Sequence, residues 1–191
     1  KLIGKHQLSS VYIGANVGVL SGLTIKQIAK GIEQATIPNH RLNLINLKKF
    51  SILDDTYNSS PQAVLKSIET LLDLGKNRQK IAVLGQMKYL GKLSENEHTK
   101  IGQKIAKTSI NILITIGKAK IISESAVQNN FQGVTQNYNS TDEAIKYINS
   151  QIRHKALVLI KGSRHTHLER IFYGLQGKST EINCYYCKKI K

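Results

Sequence analysis

The feature of this sequence that most constrains its fold is a series of short, uninterrupted apolar runs, each ended by glycine or polar residues. The strongest lie at residues 81–84, 112–116 and 156–160, and a pattern typical of a helix follows each of them. Such runs are typical of parallel strands that are buried on both faces, because the connecting helices cover the sheet. We therefore predict an α/β fold with a mostly parallel sheet and helices on both of its faces.

Two helices are predicted ahead of the first strand, over residues 6–21 and 24–34. Thr24 suits the N-cap of the second helix, and apolar residues follow it at helical spacing. Pro38 and Asn39 then interrupt the pattern. We therefore expect three segments, residues 1–40, 41–177 and a basic tail over 178–191.

Local start signals mark two of the helices predicted beyond this boundary. Ser60 and Pro61 suit the N-cap and the first helical position of one helix. Ser94 and Glu97 have the spacing of a capping box. The last helix is expected from about residue 165 to 175, directly after the last strong strand.

The formal net charge of +16 raises the question of a nucleic-acid partner. Only five of the 28 basic residues are arginine, the residue that reads bases and phosphates best, and the lysines are scattered along the chain. We therefore interpret the charge as a solvated lysine-rich surface and regard nucleic-acid binding as the alternative. No apolar run is long enough to span a membrane, and no signal pattern opens the chain, so a cytoplasmic protein is expected.

Polar residues stand where four of the predicted strands end, at residues 54–58, 85–87, 117–118 and 161–164. In open α/β sheets, ligands bind beyond the carboxyl ends of the strands. Asp54 and Asp55 could accept hydrogen bonds from ribose hydroxyls or an ammonium group, although a surface turn has the same composition. Residues 161–164 suit an anion at the start of the last helix, with a plain tight turn as the alternative.

Other possible sites are weaker. Cys184 and Cys187 form a lone CxxC with no second ligand pair nearby, so two free thiols are expected. No metal site is predicted from the histidines, because a lone histidine on a helix is more often a surface or cap residue. Residues 177–180 have the ending of a phosphate-binding P-loop, but its first glycine position holds Phe172 and a helix precedes it.

Taken together, the strand-end residues and their neighbours resemble the Mur ligases, and among these the members that add D-alanyl-D-alanine. The resemblance covers the chain from Gly4 to about Leu175. In chain order, the matching residues are Gly4-Lys5-His6-Gln7, Arg41-Leu42, Asp54-Asp55-Thr56-Tyr57-Asn58-Ser59-Ser60-Pro61, Ala82-Val83-Leu84-Gly85-Gln86-Met87, Leu90-Gly91, Ser94-Glu95-Asn96-Glu97-His98, Lys161-Gly162-Ser163-Arg164 and Leu168-Glu169.

The resemblance implies the end of a central ATPase domain over residues 1–40 and a Rossmann-like C-terminal domain over residues 41–177. It implies an ATP-dependent amide ligase that uses Mg²⁺ and forms an acyl phosphate. The substrates would be UDP-N-acetylmuramoyl-tripeptide and D-alanyl-D-alanine, and the partners would be the remaining domains of the same ligase. Nucleotide contacts are implied for His6, Gln7, Arg41, Asp54 and Asp55. Contacts on the amino-substrate side are implied for Tyr57, Asn58, Lys161, Ser163 and Arg164.

Some positions depart from the family pattern. Gln7 and Gln86 stand where the family has asparagine and aspartate, and the turn before Arg41 is longer. No P-loop occurs in these 191 residues, so no catalytic residue is assigned and the fragment alone is expected to be inactive. The alternative to a ligase fragment is a stand-alone basic α/β binding module, with nucleic acid as its ligand.

Overall fold

A computed structural model describes residues 2–179 and 181. A 3₁₀ turn over Lys5–Gln7 leads into α1 (Leu8–Leu20) and α2 (Ile25–Gln34). The remaining elements alternate. They are β1 (Asn43–Asn46), β2 (Phe50–Asp55), α3 (Pro61–Leu74), β3 (Lys80–Leu84), α4 (Ser94–Ala106), β4 (Ile112–Ile116), α5 (Lys120–Gln128), β5 (Val134–Tyr138), α6 (Thr141–Gln151), β6 (Ala156–Lys161) and α7 (Glu169–Gly174).

The strands form one six-stranded sheet in the order β1-β2-β6-β3-β4-β5. All neighbouring strands are parallel except β1, which runs antiparallel to β2 at the edge. β3, β4 and β6 are buried along their whole length. The predicted α/β fold with a mostly parallel sheet is therefore confirmed.

The core lies in two layers, one on each face of the sheet. Leu71, Ile105 and Ile122 represent the layer that α3, α4 and α5 cover. Ile148 and Ile171 represent the layer that α6 and α7 cover on the opposite face. Successive residues of a strand point to opposite faces, so β3, β4 and β6 supply both layers. Helices on both faces of the sheet were predicted correctly.

The two N-terminal helices bury few of their residues. In α2, Thr24 and Gln27 form a complete capping box, and the apolar side of the helix packs against α1. The side chains of α1 are mostly apolar, but only Gly18 is buried. No helix among the described residues is long and apolar enough to cross a membrane.

Two of the predicted helix starts are wrong. Ser94 is the first residue of α4 rather than its cap, and no side chain caps the helix at Leu93. The last helix is broken, because Arg164–Thr166 form a 3₁₀ turn and His167 takes a left-handed backbone angle (φ 50°) before α7 begins. Ser60 holds the N-cap position of α3, although its side chain makes no capping bond.

Candidate functional site

A buried ion pair joins the carboxyl ends of two neighbouring parallel strands. Asp55 ends β2 and Lys161 ends β6, and the strand register places the two residues side by side. The Lys161 Nζ donates to Asp55 Oδ2 at 2.6 Å and to the Asn58 carbonyl oxygen at 3.0 Å. Ser67 of α3 also donates to Asp55 Oδ2, at 2.6 Å. The pair therefore ties both strands to the loop that follows β2.

Asp54 points to the opposite face of the sheet, because adjacent residues of a strand alternate. It is buried, and its Oδ2 lies 2.8 Å from His40 Nδ1. Asp54 Oδ1 accepts hydrogen bonds from the hydroxyl and amide of Thr56. The hydrogen bond from Asp54 raises the pKa of His40, although burial of the ring opposes the shift. Asp54 thus stabilises the loop that follows β2, on the face of the sheet that α7 covers.

Beyond the carboxyl ends of β2 and β6 lies a half-open pocket with a volume of about 420 Å³. Its size falls within the range of small-molecule sites in proteins. The residues that line it are His6, Gln7, Arg41, Leu42, Asp55, Tyr57, Asn58, Ser59, Ser60, Gln62, Ala63, Lys66, Ser67 and Lys161. Seven of the ten residues predicted for the site are therefore brought together here, from segments that are far apart in the sequence.

Cations dominate the charge around this pocket. The Arg41 guanidinium lies 4.0 Å from the centre of the Tyr57 ring, and the Arg164 guanidinium lies 5.7 Å from it. Burial lowers the pKa of Lys161; Asp55 opposes this shift and Arg41 adds to it. Asp55 is the only carboxylate among the lining residues, and it is paired with Lys161. An anionic ligand therefore fits the pocket.

The backbone on both sides of Arg41 is held in an uncommon conformation. His40 and Leu42 have positive φ angles of 64° and 54°, which cost non-glycine residues about 1 kcal/mol or more each. The contact between His40 and Asp54 and the burial of Leu42 hold these angles. The Tyr57 amide donates to the His40 carbonyl at 3.0 Å. This bond joins the turn to the loop and places Arg41 beside the Tyr57 ring.

Several lining residues were missed by the sequence-based assignment. Ser59 is buried, and its hydroxyl has no hydrogen-bond partner among the described residues, so a ligand could supply one. Gln62 and Ala63 belong to the first turn of α3, where backbone amides have no partner within the helix. The signal was present in the sequence: Ser60 and Pro61 mark a helix start directly after a strand end, and helix N-termini favour anions.

Three of the predicted site residues do not line the pocket. Asp54 faces the other side of the sheet, as described above. Ser163 is buried, and its amide donates to the Gln86 carbonyl. Arg164 does not line the pocket, and its guanidinium lies 5.7 Å from the centre of the Tyr57 ring. Neither Gln86 nor Gly117 lines the pocket, although both follow strand ends.

The helix that we predicted to start directly after residues 161–164 begins later, so no α-helix N-terminus lies at this turn. Lys161 belongs to β6, and α7 begins only at Glu169. Gly162 was expected to let the backbone approach an anion closely. In the structure it lets the backbone approach other parts of the chain. A Cβ at this position would lie 2.5 Å from Thr166 Oγ1 and 3.1 Å from the Cα of Gly85. Gly162 therefore lets the chain segments after β6 and β3 pack together.

One histidine does not lie where a lone histidine on a helix was expected. His98 is buried rather than at the surface: its Nε2 accepts a hydrogen bond from the Met87 amide at 3.0 Å, and its Nδ1 lies 2.6 Å from the Ser94 carbonyl oxygen. It holds the loop after β3 against α4. No cluster of three or more potential metal ligands occurs among the described residues. Cys184 and Cys187 lie outside them.

Comparison with known proteins places this geometry in a family. The family described as "Mur ligase, glutamate ligase domain" matches residues 40–164. The UDP-N-acetylmuramoyl-tripeptide–D-alanyl-D-alanine ligase of Bacillus subtilis is 28% identical over 172 residues, which are 89% of this chain and 38% of the relative. The corresponding ligase of Haemophilus influenzae is 28% identical over 180 residues, 92% of this chain and 38% of the relative.

Solved structures agree with this assignment. A crystal structure of MurF from Acinetobacter baumannii superposes with a TM-score of 0.80 and 27% identity, over 92% of this chain and 38% of that one. The structure of MurF from Thermotoga maritima in complex with ADP gives a TM-score of 0.74 and 26% identity, over 88% of this chain and 37% of that one. The chain thus spans 38% of the length of the curated relatives named above. The chain belongs to the Mur ligase family, and residues 40–164 match its glutamate ligase domain.

Proposed function

We propose that this chain is the C-terminal part of an ATP-dependent ligase of the bacterial cytoplasm that joins D-alanyl-D-alanine to UDP-N-acetylmuramoyl-tripeptide. Relatives that bear this name support the proposal. The observation that carries it is the pocket beyond the carboxyl ends of β2 and β6, where Arg41 and Lys161 gather around Tyr57 and Asp55. The structure of a relative in complex with ADP supports a nucleotide as one of the ligands.

The nucleotide would use the polar groups that the fold leaves accessible. Asp55 Oδ2 accepts both the Lys161 and the Ser67 hydrogen bonds, whereas Oδ1 accepts none among the described residues. Oδ1 therefore suits a ribose hydroxyl. Arg41 is exposed beside the pocket and suits a phosphate group, because its guanidinium can bind two oxygens at once. His6 and Gln7 enclose the pocket on the side of the N-terminal helices.

The reaction would proceed in two steps. ATP transfers its γ-phosphoryl group to the tripeptide carboxylate, and the amine of D-alanyl-D-alanine then attacks the acyl carbon and releases phosphate as the amide forms. The residues of this chain contribute orientation and positive charge, which stabilise anionic intermediates in an enclosed site. Lys161 acts indirectly, because it is buried against Asp55 and fixes the Tyr57–Asn58 loop.

The described residues do not fit a magnesium site of their own. Mg²⁺ prefers carboxylate and phosphate oxygens, and the one carboxylate of the pocket, Asp55, is paired with Lys161. Other segments of the ligase would therefore hold the Mg²⁺ that accompanies ATP. No step of the reaction is assigned to the metal through residues of this chain.

We further propose that residues 1–40 end the central ATPase domain and that residues 41–177 form a C-terminal domain that closes over the nucleotide. The exposed apolar side chains of α1 support this division. Tyr12, Ile13, Val17 and Leu20 each expose more than half of their surface, which is uncommon for neighbouring apolar residues. The upstream part of the same domain would cover them.

The test is an assay of the ligase that carries this chain as its C-terminal part. Phosphate release should require ATP, UDP-N-acetylmuramoyl-tripeptide and D-alanyl-D-alanine together, and mass spectrometry should detect the elongated peptide. Phosphate release at the same rate with and without D-alanyl-D-alanine would overturn the proposal. Asp55→Ala and Lys161→Ala should each reduce amide formation strongly, whereas near-normal activity of both variants would remove these residues from the site.

The 191-residue chain alone should bind nucleotide weakly and form no amide. It contains no P-loop to hold the β- and γ-phosphates. The measurement is the same coupled assay with the purified chain. Amide formation above the level without protein would show that the chain contains a complete catalytic site.

A further inference from the structure

The fold gathers basic residues at the end of the sheet opposite to the pocket. The loops at the amino ends of the strands there are residues 46–51, 75–80, 107–111 and 151–156, which we call the basic pole. They contain no Asp or Glu. Their eight cations are Lys48, Lys49, Lys76, Arg78, Lys80, Lys107, Arg153 and Lys155. Lysines that look scattered in the sequence therefore meet on one surface of the folded chain.

Two of these cations stabilise the fold itself. The Lys80 Nζ is buried and donates to the carbonyl oxygens of Gly75 and Arg78. The Arg78 guanidinium donates to the carbonyl oxygens of Lys155 and Ala156, and burial lowers its pKa. The Arg78 bonds join residues 75–80 to residues 151–156, and the Lys80 bonds stabilise the loop over residues 75–80. The other six cations are exposed.

The surroundings leave most of this positive charge uncompensated. α3, α4 and α6 end at the basic pole, and each helix C-terminus carries a partial charge of roughly −0.5, which offsets only part of it. Asp73, the acid in the last turn of α3, is paired with Lys5 at 3.2 Å. Lys48, Lys49 and Lys155 border an open cleft of about 340 Å³. The charge is concentrated on β1, β2, β6 and β3, which together span roughly 15 Å.

The residue types favour a lipid surface over a nucleic acid. Exposed cations of the basic pole are lysines except for Arg153, whereas nucleic-acid recognition favours Arg and aromatic stacking. The exposed aromatic side chains of the described residues, Tyr12 and Tyr89, lie outside the basic pole. Leu74 and Val134, at the same end of the sheet, are 39% and 49% exposed. Exposed aliphatic side chains at the same end of a domain as lysines suit the boundary between headgroups and acyl chains.

We propose that the basic pole docks this protein peripherally on an anionic lipid surface. The exposed lysines would approach the headgroups, and the pocket at the opposite end of the sheet would face the solution. Docking therefore leaves the pocket open to nucleotide and substrates. This proposal does not depend on the proposed ligase activity, because it uses no residue of the pocket.

The test is co-sedimentation of the 191-residue chain with phosphatidylcholine vesicles, with and without phosphatidylglycerol. We expect binding only to the anionic vesicles, and weaker binding as salt is added. The neutral variant Lys48→Gln/Lys49→Gln/Lys155→Gln should lose affinity by roughly five-fold for each lysine, on the order of a hundred-fold in total. The variant with glutamate at the same three positions should lose more, and thermal unfolding would verify that both are folded.

A matched variant distinguishes binding through the basic pole from attraction by the net charge of the whole chain. Lys30→Glu/Lys92→Glu/Lys118→Glu changes three exposed lysines outside the basic pole and has the same net charge. It should retain most of the affinity for anionic vesicles. The proposal would be overturned if both variants lost the same affinity for anionic vesicles. It would also be overturned if the variant at Lys48, Lys49 and Lys155 kept its affinity. Binding of duplex or single-stranded DNA at physiological salt without vesicle binding would overturn it in favour of a nucleic-acid partner.

Discussion

Asp55 and Lys161 are 106 residues apart in the sequence, and their side chains meet at 2.6 Å between Oδ2 and Nζ. The contact joins the ends of β2 and β6, and Lys161 extends it to the carbonyl oxygen of Asn58. Because Lys161 is almost completely buried, its charge depends on this pair and on the carbonyl for stabilisation. The pair determines the shape of the pocket more than it supplies groups to a ligand.

We expect Lys161→Met to destabilise the chain by about 2 kcal/mol, because it leaves the half-buried Asp55 carboxylate without its cation. Urea unfolding would measure the change. Lys66→Met is the matched control, since Lys66 forms an exposed pair with Glu69 at 2.9 Å, and a surface pair contributes less than about 1 kcal/mol. Equal effects of the two substitutions would contradict this account of the buried pair.

The pair between His40 and Asp54 predicts a pH dependence. The hydrogen bond with Asp54 raises the pKa of folded His40, so the folded chain holds this proton more tightly than the unfolded chain. The resulting stability is fully present below the unfolded pKa of about 6.5 and is lost as the pH rises through the raised pKa of folded His40. Asp54→Asn should therefore destabilise the chain more in mildly acidic than in mildly alkaline buffer.

NMR titration of the His40 ring protons provides the direct measurement for this prediction. The pKa of His40 should fall in Asp54→Asn, because the substitution removes the carboxylate that favours the protonated ring. An unchanged His40 titration in Asp54→Asn would contradict the assignment.

Arg41 should contribute directly to nucleotide affinity. We expect Arg41→Ala to weaken the binding of ADP to the 191-residue chain by roughly 10-fold or more, the usual effect of losing a charge-assisted hydrogen bond. Isothermal titration calorimetry would measure the affinity. Arg153→Ala removes an exposed arginine at the other end of the sheet and should leave ADP binding unchanged. An equal effect of both substitutions would indicate only a general attraction between opposite charges.

His98 predicts a local effect on the loop after β3. His98→Leu leaves the buried Met87 amide without an acceptor, which should destabilise the chain by about 2 kcal/mol. Hydrogen exchange at the Met87 amide should become faster. Lys100→Leu, on the exposed side of the same helix, should change stability by less than about 0.5 kcal/mol. Unchanged exchange at Met87 in His98→Leu would contradict this role.

The sheet and the order of its helices were predictable because each parallel strand is a short apolar run that a helical pattern follows. The shape of the last connection was not, because a left-handed backbone such as that of His167 is uncommon for any residue other than glycine. Strand ends identified Asp55, Tyr57, Asn58 and Lys161 as candidates. Sequence alone could not show that Lys161 would be buried against Asp55, because strand register determines which residues meet.

The clustering of the lysines was equally hidden in the sequence. Lys49 and Lys155 are more than 100 positions apart, yet the Lys155 amide donates to the Lys49 carbonyl at 2.7 Å. Parallel strands bring all of their starting loops to one end of a sheet, so charges that recur before strands accumulate there. A scan for consecutive basic residues cannot detect such a surface.

Asp54 and Asp55 look interchangeable in the sequence, but they face different layers of the protein. A deletion of one residue earlier in β2 would move Asp55 into the register of Asp54, so that the neighbour of Lys161 became the neighbour of His40. An alignment that is shifted by a single position at this pair would likewise assign the ligand-facing carboxylate to the wrong residue. Any transfer of residue roles between relatives at these acids therefore has to rest on superposed strands.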